Sequence, residues 1–379
     1  MRKSVVCALA ALMAVVEAAP ARAQGRVVAE VESEQARFRL VELVRGLERP
    51  WSLAFLPDGR MLVSERPGRL RYVDLEQGVD PTPLSGVPEV WARGQAGLLD
   101  VALDPDFAAN RTLYLSYVAE GEAGAAVRVA RARLHDHALE ELRVIFRSNA
   151  EARSAINFGS RLLLADGFLY ITVGDRARRE LAQDLRSHAG KVVRIRPDGT
   201  APEDNPLREQ RGALPEIFTY GHRNPQGIAR EPSTGAIWIH EHGPQGGDEV
   251  NRLIPGANYG WPLYTYGREY GTGAPIGLGT EGPGVESPLW VWTPSIAPSG
   301  MAFYAGDAFP EWRGDLLIGA LRGQMLVRLE VEGGRVVAEE RLIRGLIGRI
   351  RDVRVGPDGL VYLLTDARDG GIYRLEPAG

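Results

Sequence analysis

The 379-residue sequence contains a single cysteine, Cys7, which lies within the first twenty residues. Arg2 and Lys3, the apolar run at residues 5–16 and the small-residue sequence Ala21-Arg22-Ala23 together predict a secretory signal peptide at residues 1–23. The mature chain, residues 24–379, would be one domain without cysteine, which excludes disulfides and thiol chemistry. Its stability in an oxidising compartment must therefore come from packing.

The sequence also lacks a long uncharged hydrophobic run. The apolar stretch of the predicted signal is too short to cross a bilayer, and no later segment reaches the required length without charges. We therefore expect an exported protein, periplasmic or secreted, with no membrane span.

Lysine is scarce, because only Lys3 and Lys191 occur and all other cationic side chains are arginine or histidine. Loss of the signal would change the formal net charge from −4 to −6. Nucleic-acid binding depends on an excess of basic charge, so this mild acidity argues against a nucleic-acid partner. The 44% hydrophobic content is sufficient for a sizeable core.

Helical periodicity is nearly absent, apart from one or two possible turns within residues 180–188. A different pattern recurs instead: an apolar strand, a turn rich in Pro, Asp or Gly, a second apolar strand and a polar tip. It occurs at residues 51–73, 98–118, 159–176, 227–243, 299–323 and 351–375. Six such units predict an all-β fold, a six-bladed β-propeller of four-stranded blades, in preference to a β-sandwich.

Two further features bear on the geometry of this propeller. Residues 37–44 alternate in polarity and precede the first unit, so we expect an N-terminal strand to close the ring by pairing with the last blade. The polar tips fall at equivalent ends of the units and would meet around the central channel on one face. These tips are Glu65-Arg66, Gly174-Asp175-Arg176, His240-Glu241-His242 and Thr365-Asp366.

The segment 215–262 is the densest in polar side chains, which are interspersed with glycine and proline, as in loops that carry sites. Its sequence HEHGPQGGDE, residues 240–249, allows three interpretations. His240 and His242 could bind zinc, the carbonyls and carboxylates could bind calcium, or the segment could be a tight hydrogen-bonded turn. The residues alone leave these alternatives open.

Several arginines stand at or near the tips. If they converge, they would form a pocket for a planar polyanion, because a guanidinium holds a carboxylate in a bidentate fork. Taken singly, each one is better explained as a solvated surface arginine. The pair on either side of Ile350 is the strongest case, because alternate residues of a strand face the same way. The candidates are Arg223, Arg322, Arg349 and Arg351.

A set of motifs between residues 94 and 353 resembles the soluble pyrroloquinoline-quinone-dependent aldose and glucose dehydrogenases, the glucose/sorbosone dehydrogenase family. The set as a whole is specific, although no single motif is. The motifs, in family order, are GQAGLLDVALDPDF, FGSRL, TVGDR, GKVVRIRPDGTAPEDNP, YGHRNPQG, HEHGPQGGDEVN, GANYGWP, PSIAPSG, LRGQ and RIRDV.

The resemblance implies a six-bladed propeller with the quinone on its axis, a calcium ion on the quinone and a second calcium nearby. The carbonyls of Gly243 and Pro244 would bind the first ion, and Glu249 with the Tyr259 carbonyl the second. In such enzymes a base takes the proton of the sugar C1 hydroxyl while hydride passes from C1 to the quinone. The resemblance also implies a catalytic role for Arg223, which would stabilise the negative charge that develops on the quinone oxygen. The implied quinone-binding residues are Gln95, Arg223, Asn224, Arg322, Arg349 and Arg351.

The position of the catalytic base departs from the family pattern. The family has a histidine four residues before an arginine, whereas Asn157 stands four residues before Arg161, and Ile156 replaces an aspartate of the glucose-type members. An amide does not take up a proton near neutral pH, and loss of a general base typically costs about 10²- to 10⁴-fold in rate. Asp175 or Glu180 could substitute.

A second departure is Arg322, which stands where the family has lysine; the substitution keeps the charge and changes the shape. Two hypotheses follow. One is an exported dehydrogenase that oxidises aldoses and passes electrons to an acceptor that the motifs do not identify. The other is a quinone- or sugar-binding propeller with little or no turnover. The glycine-rich stretch 267–286 is long enough to be a functional loop that contacts substrate.

Overall fold

The computed structural model describes residues 25–378, so the predicted signal peptide and Cys7 lie outside the described residues. The described chain is almost entirely β. In chain order, the strands are β1 (Arg26–Glu32), β2 (Arg37–Leu47), β3 (Pro50–Phe55), β4 (Met61–Glu65), β5 (Arg69–Asp74), β6 (Gly78–Val79), β7 (Leu98–Leu103), β8 (Thr112–Glu120), β9 (Ala125–His135), β10 (Ala138–Arg147), β11 (Gly159–Ala165), β12 (Phe168–Val173), β13 (Lys191–Ile195), β14 (Ile217–Tyr220), β15 (Pro225–Arg230), β16 (Ile237–Glu241), β17 (Asp248–Arg252), β18 (Trp290–Trp292), β19 (Pro298–Phe303), β20 (Leu316–Ala320), β21 (Met325–Glu332), β22 (Arg335–Leu342), β23 (Ile350–Val355), β24 (Val361–Thr365) and β25 (Gly370–Pro377).

These strands form six antiparallel sheets, which are the six blades of a propeller. Blades 1 to 5 are β3–β6, β7–β10, β11–β14, β15–β18 and β19–β22, and blade 6 has the order β1-β2-β25-β24-β23. The first strands of successive blades contact one another in a closed ring around the axis. The predicted six-bladed, four-stranded architecture is confirmed, and blade 6 carries β1 as a fifth strand.

Local turn chemistry explains why each repeat folds as a hairpin. Between β11 and β12 the loop consists of Asp166 and Gly167, whose φ angles are 52° and 79°. Two consecutive positive φ values define the turn that matches the right-handed twist of two strands, and Asp-Gly is a preferred sequence for it. The Pro-Asp-Gly turn of blade 1 is of another type, in which proline fixes the first bend and only Gly59 has a positive φ, of 90°.

The ring is closed by the N-terminal strand. Strand β2 pairs antiparallel with β25, from Phe38 opposite Pro377 to Leu47 opposite Gly370. The Phe38 ring is fully buried and packs edge-on against Trp312 at a centroid distance of 5.7 Å. Closure by residues 37–44, expected from their alternating polarity, is therefore confirmed, and it joins the two ends of the described chain in one sheet.

An arginine from blade 3 connects the blades at the axis. The Arg161 guanidinium lies 2.9 Å from Asp352 in blade 6 and 3.4 Å from Asp100 in blade 2. Its Nε donates to the Gln226 carbonyl in blade 4 at 2.9 Å, and its plane lies 4.0 Å from the Trp51 ring of blade 1. Because a buried charge is tolerated only when paired, this network fixes the position of blade 3 relative to four other blades.

Helical structure is limited to single turns in the described residues. They are α1 (Phe107–Asn110) and two 3₁₀ turns at Arg179–Ala182 and Pro310–Trp312. The turn expected within residues 180–188 corresponds to the first 3₁₀ turn, whereas α1 was not anticipated. Between residues 25 and 378 no helix has the length and apolarity that a bilayer span requires.

Candidate active site

A cavity of about 200 Å³ lies where the six blades meet. Every blade contributes to its wall, through the start of its first strand, the end of its second strand or an adjoining loop. The lining residues are Trp51, Arg66, Gln95, Leu99, Phe158, Gly159, Gln226, His242, Ala297, Leu321, Arg349, Arg351 and Asp366. The sequence predicts polar tips at equivalent ends of the repeats. The tips of blades 1, 4 and 6 do converge at this cavity.

The predicted quinone-binding residues occupy different places relative to this cavity. Gln95, Arg349 and Arg351 line it. Asn224 lies directly behind the wall, where its Oδ1 accepts hydrogen bonds from the Gly159 amide at 3.1 Å and from Gln226 at 3.2 Å.

The other two arginines lie apart from this wall. Arg223 lines a smaller adjoining cavity. Arg322 is exposed and, within residues 25–378, is not among the residues that line either cavity.

The central cavity carries an excess of positive charge. The Asp366 carboxylate accepts hydrogen bonds from Arg349 at 3.1 Å and from Arg351 at 3.1 Å. Burial opposes its ionisation, but the charges of Arg351, Arg349 and Arg66 outweigh burial and lower the pKa of Asp366 to about 2. Burial lowers the pKa of Arg351 to about 10, so it stays protonated near neutral pH. Three guanidinium groups thus share one carboxylate.

Asn157 stands at the entrance to β11 in a left-handed conformation with a φ of 56°, which asparagine tolerates better than most residues. Its backbone amide donates to Gln95 at 2.8 Å, and its side-chain Nδ2 donates to Asp175 at 2.9 Å. The second oxygen of Asp175 accepts from the Trp261 indole at 2.8 Å. The Asn157 amide is therefore a fixed donor beside the cavity wall.

Neither residue suggested as a substitute base lines the central cavity of the described chain. Asp175 is 1% exposed, and both of its oxygens accept hydrogen bonds. Glu180 belongs to the 3₁₀ turn at Arg179–Ala182, and its side chain is 67% exposed. Uptake of a substrate proton by either group would require a rearrangement of this geometry.

A second cavity, of about 10 Å³, adjoins the first, and the two share His242. Its wall consists of Arg223, Glu241, His242, Gly243, Gly247, Glu249, Tyr259, Trp261, Tyr264 and Thr265. Arg223 lies here with three of the four residues that the resemblance links to calcium, namely Gly243, Glu249 and Tyr259, whereas Pro244 is not among the lining residues.

Arg223 already contacts one of the predicted metal ligands. Its Nη1 donates to the carbonyls of His242 at 2.9 Å and Gly243 at 2.8 Å. Its backbone amide donates to Glu241, whose other oxygen lies 2.8 Å from His222 Nδ1. The buried Glu241 carboxylate therefore orients the segment that carries Arg223, and the guanidinium supplies positive charge to the carbonyl of Gly243.

The donor set of the small cavity suits calcium better than zinc. Burial and the negative charge of Glu241 raise the pKa of Glu249 well above its usual range, so a nearby cation would favour its carboxylate form. His242 Nε2 is occupied by the Pro298 carbonyl at 2.6 Å, and His240 lines neither cavity. No three His, Cys, Asp or Glu side chains within residues 25–378 are grouped to hold a metal, so an ion here would depend on backbone carbonyls.

Comparisons with known proteins agree with the propeller and its central cavity. The sequence profile described as Glucose / Sorbosone dehydrogenase matches residues 47–374, which cover blades 1 to 5, strands β23 and β24 of blade 6, and most of β25. This chain belongs to the glucose/sorbosone dehydrogenase family.

Members of this family resemble the chain over most of its length. The aldose sugar dehydrogenase YliI of Escherichia coli is 45% identical over 337 residues, which are 87% of this chain and 91% of the relative. A solved structure described as glucose dehydrogenase superposes with a TM-score of 0.87 at 50% identity, covering 89% of this chain and 99% of that one. The PQQ-bound aldose sugar dehydrogenase of Streptomyces coelicolor gives a TM-score of 0.74 at 30% identity, covering 90% and 98%.

Some lining residues were not assigned to the site from the sequence. Arg66 and Asp366 appeared only as polar tips, and Trp51, Phe158 and Gln226 were not singled out. The signal for Arg66 and Asp366 was present in the repeat, because both sit at or beside the end of the second strand of a blade. The direction of each side chain at a strand end depends on neighbouring blades, and the local sequence does not specify it.

Proposed function

We propose that this family member is an exported quinoprotein that oxidises aldose sugars at C1, with pyrroloquinoline quinone as its cofactor. The observation that carries the proposal is the axial cavity, in which Arg349 and Arg351 share the single Asp366 carboxylate with Arg66 close by. An excess of guanidinium charge around one cavity suits a planar cofactor with several carboxylates. A relative of known structure binds the same cofactor.

The fold positions each proposed group for a defined task. Arg349 and Arg351 would hold carboxylate oxygens, with the Gln95 side-chain amide beside them at the rim. Asn224 would keep the wall in place through its bonds to Gly159 and Gln226. When bound, the quinone supplies the acceptor for the hydride that leaves C1 of the sugar.

Arg223 and the carbonyls beside it would provide electrostatic stabilisation. A guanidinium that is already oriented in a buried site stabilises developing negative charge without reorganisation. Calcium would be held by the carbonyls of Gly243 and Pro244, and a second ion by Glu249 and the Tyr259 carbonyl. Support for the ions comes from the donor chemistry of the small cavity, in which buried oxygens outnumber nitrogen ligands.

Asn157 would orient the sugar and would not accept the proton of its C1 hydroxyl, which would pass to solvent water. Because its Nδ2 donates to Asp175, its amide oxygen is the part left to accept a hydrogen bond from a sugar hydroxyl. We expect turnover below that of a histidine-containing relative by about 10²- to 10⁴-fold.

The same geometry favours a second candidate function, a quinone- or sugar-binding propeller with little or no turnover. A fixed amide stands where the base is needed, and neither Asp175 nor Glu180 lines the cavity.

Reconstitution separates the two candidates. Purified mature protein would be mixed with pyrroloquinoline quinone and calcium, and aldoses would then be added with an artificial electron acceptor. Dye reduction that depends on sugar, quinone and calcium supports the dehydrogenase. A shift in quinone absorbance without dye reduction supports the binding protein, and absence of quinone binding contradicts both.

A further inference from the structure

Arg66 is the one cavity-lining arginine to which neither the motifs nor the comparisons assign a role. It follows β4, and its side chain lines the cavity together with Arg349, Arg351 and Asp366. The Nε of Arg66 is buried and has no hydrogen-bond partner among residues 25–378. Buried donors of folded proteins are nearly always paired, so an exception calls for a ligand that supplies the acceptor.

A second unpaired donor lies in the same wall. Arg351 is 6% exposed, and its Nε is also without a partner in the described part of the chain. Its Nη2 is occupied by Asp366, which also accepts both of the Arg349 bonds. Asp366 therefore serves as the internal counter-ion of blade 6. The Nε–H groups of Arg66 and Arg351 have no acceptor among residues 25–378.

The charges around Arg66 favour the binding of an anion. Burial lowers the pKa of Arg66, and the like charges of Arg49 and Arg349 lower it further, while Asp366 acts in the opposite direction. Three guanidinium groups against one carboxylate leave about two positive charges uncompensated in the cavity. A ligand with two or more carboxylates would balance them.

The backbone holds Arg66 at this place without help from its side chain. Its amide donates to the Arg49 carbonyl at 3.1 Å, and its own carbonyl accepts from Leu98 at 3.1 Å. Gly97 has a φ of 142°, and a Cβ there would lie 1.9 Å from the Arg66 carbonyl oxygen. The glycine thus permits close approach of blades 1 and 2, and the guanidinium is presented to the cavity by a fixed main chain.

We propose that Arg66 is an additional anion-binding residue of the central cavity and that it holds, together with Arg351, a carboxylate of the cofactor. The inference rests on the proposed function and extends it to blade 1. Arg66 also supplies the third guanidinium group of the cavity, since Arg322 is exposed and lies outside the cavity wall. A guanidinium offers Nε–H and Nη–H groups in parallel, which matches the two oxygens of a carboxylate.

The test uses two probes and three variants of the mature protein. The probes are pyrroloquinoline quinone, followed by absorbance, and benzene-1,3,5-tricarboxylate, a redox-inactive planar anion, followed by calorimetry. The variants are Arg66→Gln, Arg66→Lys and the control Arg93→Gln, which removes an exposed arginine outside both cavities. Loss of a charge-assisted hydrogen bond predicts that Arg66→Gln weakens both probes about ten- to a hundredfold, that lysine restores part of the affinity, and that the control changes nothing.

The outcomes distinguish this inference from the proposed function. Equal affinity of Arg66→Gln and the unsubstituted protein for both probes would overturn the role of Arg66 while leaving the quinone assignment intact. Tight binding of the tricarboxylate without quinone binding would keep the anion site and overturn the cofactor. Because the Arg66 Nε has no partner to lose, Arg66→Gln should keep its melting temperature, and a large drop would also contradict the inference.

Discussion

Replacement of Asn157 by histidine should restore a general base and raise the rate of sugar oxidation. The backbone at this position is fixed by the bond of its amide to Gln95 and by the bond of the Arg176 amide to its carbonyl. Histidine is among the residues that tolerate a left-handed φ. Asp175 Oδ1, which now accepts from Nδ2 of Asn157 at 2.9 Å, would accept from the histidine Nδ1–H and leave Nε2 free to take a proton.

The size of the gain follows from what a positioned base contributes, about 10²- to 10⁴-fold. Part of this gain would be lost because the imidazole ring is larger than the amide and the cavity wall is closely packed. We therefore expect at least a roughly tenfold increase in kcat/KM. The assay is dye reduction by aldoses at saturating quinone and calcium. The variant should also acquire a pH dependence that the parent lacks, with activity rising through the histidine pKa near 6.5.

Two controls make this result interpretable. Quinone binding by Asn157→His should equal that of the parent, because the charged groups of the cavity are unchanged. Adding Asp175→Asn should remove much of the gain, since the imidazole would lose its orienting carboxylate. An Asn157→His variant that binds quinone normally and reacts no faster would refute the assignment of position 157 as the base position.

Three further predictions concern stability, each measured by denaturant unfolding. Phe38→Ala should destabilise the closed ring by about 3–5 kcal/mol, whereas Val27→Ala, at a 47% exposed position of β1, should have little effect; equal effects would contradict closure through β2. Arg161→Ala should cost up to about 3–5 kcal/mol, because the buried carboxylates of Asp100 and Asp352 would keep only Arg354 as a cationic partner; a neutral result would show that the axial network is dispensable. The pKa of Asp366 is lowered to about 2 in the folded protein. Its contribution of about 2 kcal/mol to folding stability should therefore be complete above pH 4 and lost between pH 4 and pH 2. Asp366→Asn should lack that part of the acid unfolding transition.

The repeat architecture could be predicted because its causes are local. The Asp166-Gly167 loop, the apolar alternation of the strands and the position of residues 37–44 each follow from neighbouring residues in the sequence. Convergence of the tips followed from the ring itself, which is why Arg349 and Arg351 could be assigned to one pocket. Arg349 lies just before the start of β23 and Arg351 just inside it, and both line the cavity.

The direction of single side chains could not be predicted in the same way. Arg223 turns to the carbonyls of His242 and Gly243 because blade 4 presents those acceptors, and the sequence around Arg223 carries no information on them. Arg322 belongs to the same motif set yet remains exposed. Arg66 was visible only as a polar tip, and its importance depends on the absence of a partner for Nε within residues 25–378.

In the proposed function, cofactor binding and proton removal would fall to different blades, and position 157 would therefore decide between the two candidate functions. The charged groups of the cavity come from blades 1 and 6, whereas Asn157 enters at blade 3 and is held by Asp175 and, through Asp175, by Trp261. A change at Asn157 therefore leaves the electrostatics of the cavity almost untouched. Affinity for the quinone would persist after catalysis had been lost, so binding alone does not identify an enzyme. The rate of Asn157→His relative to the parent is the quantity that does.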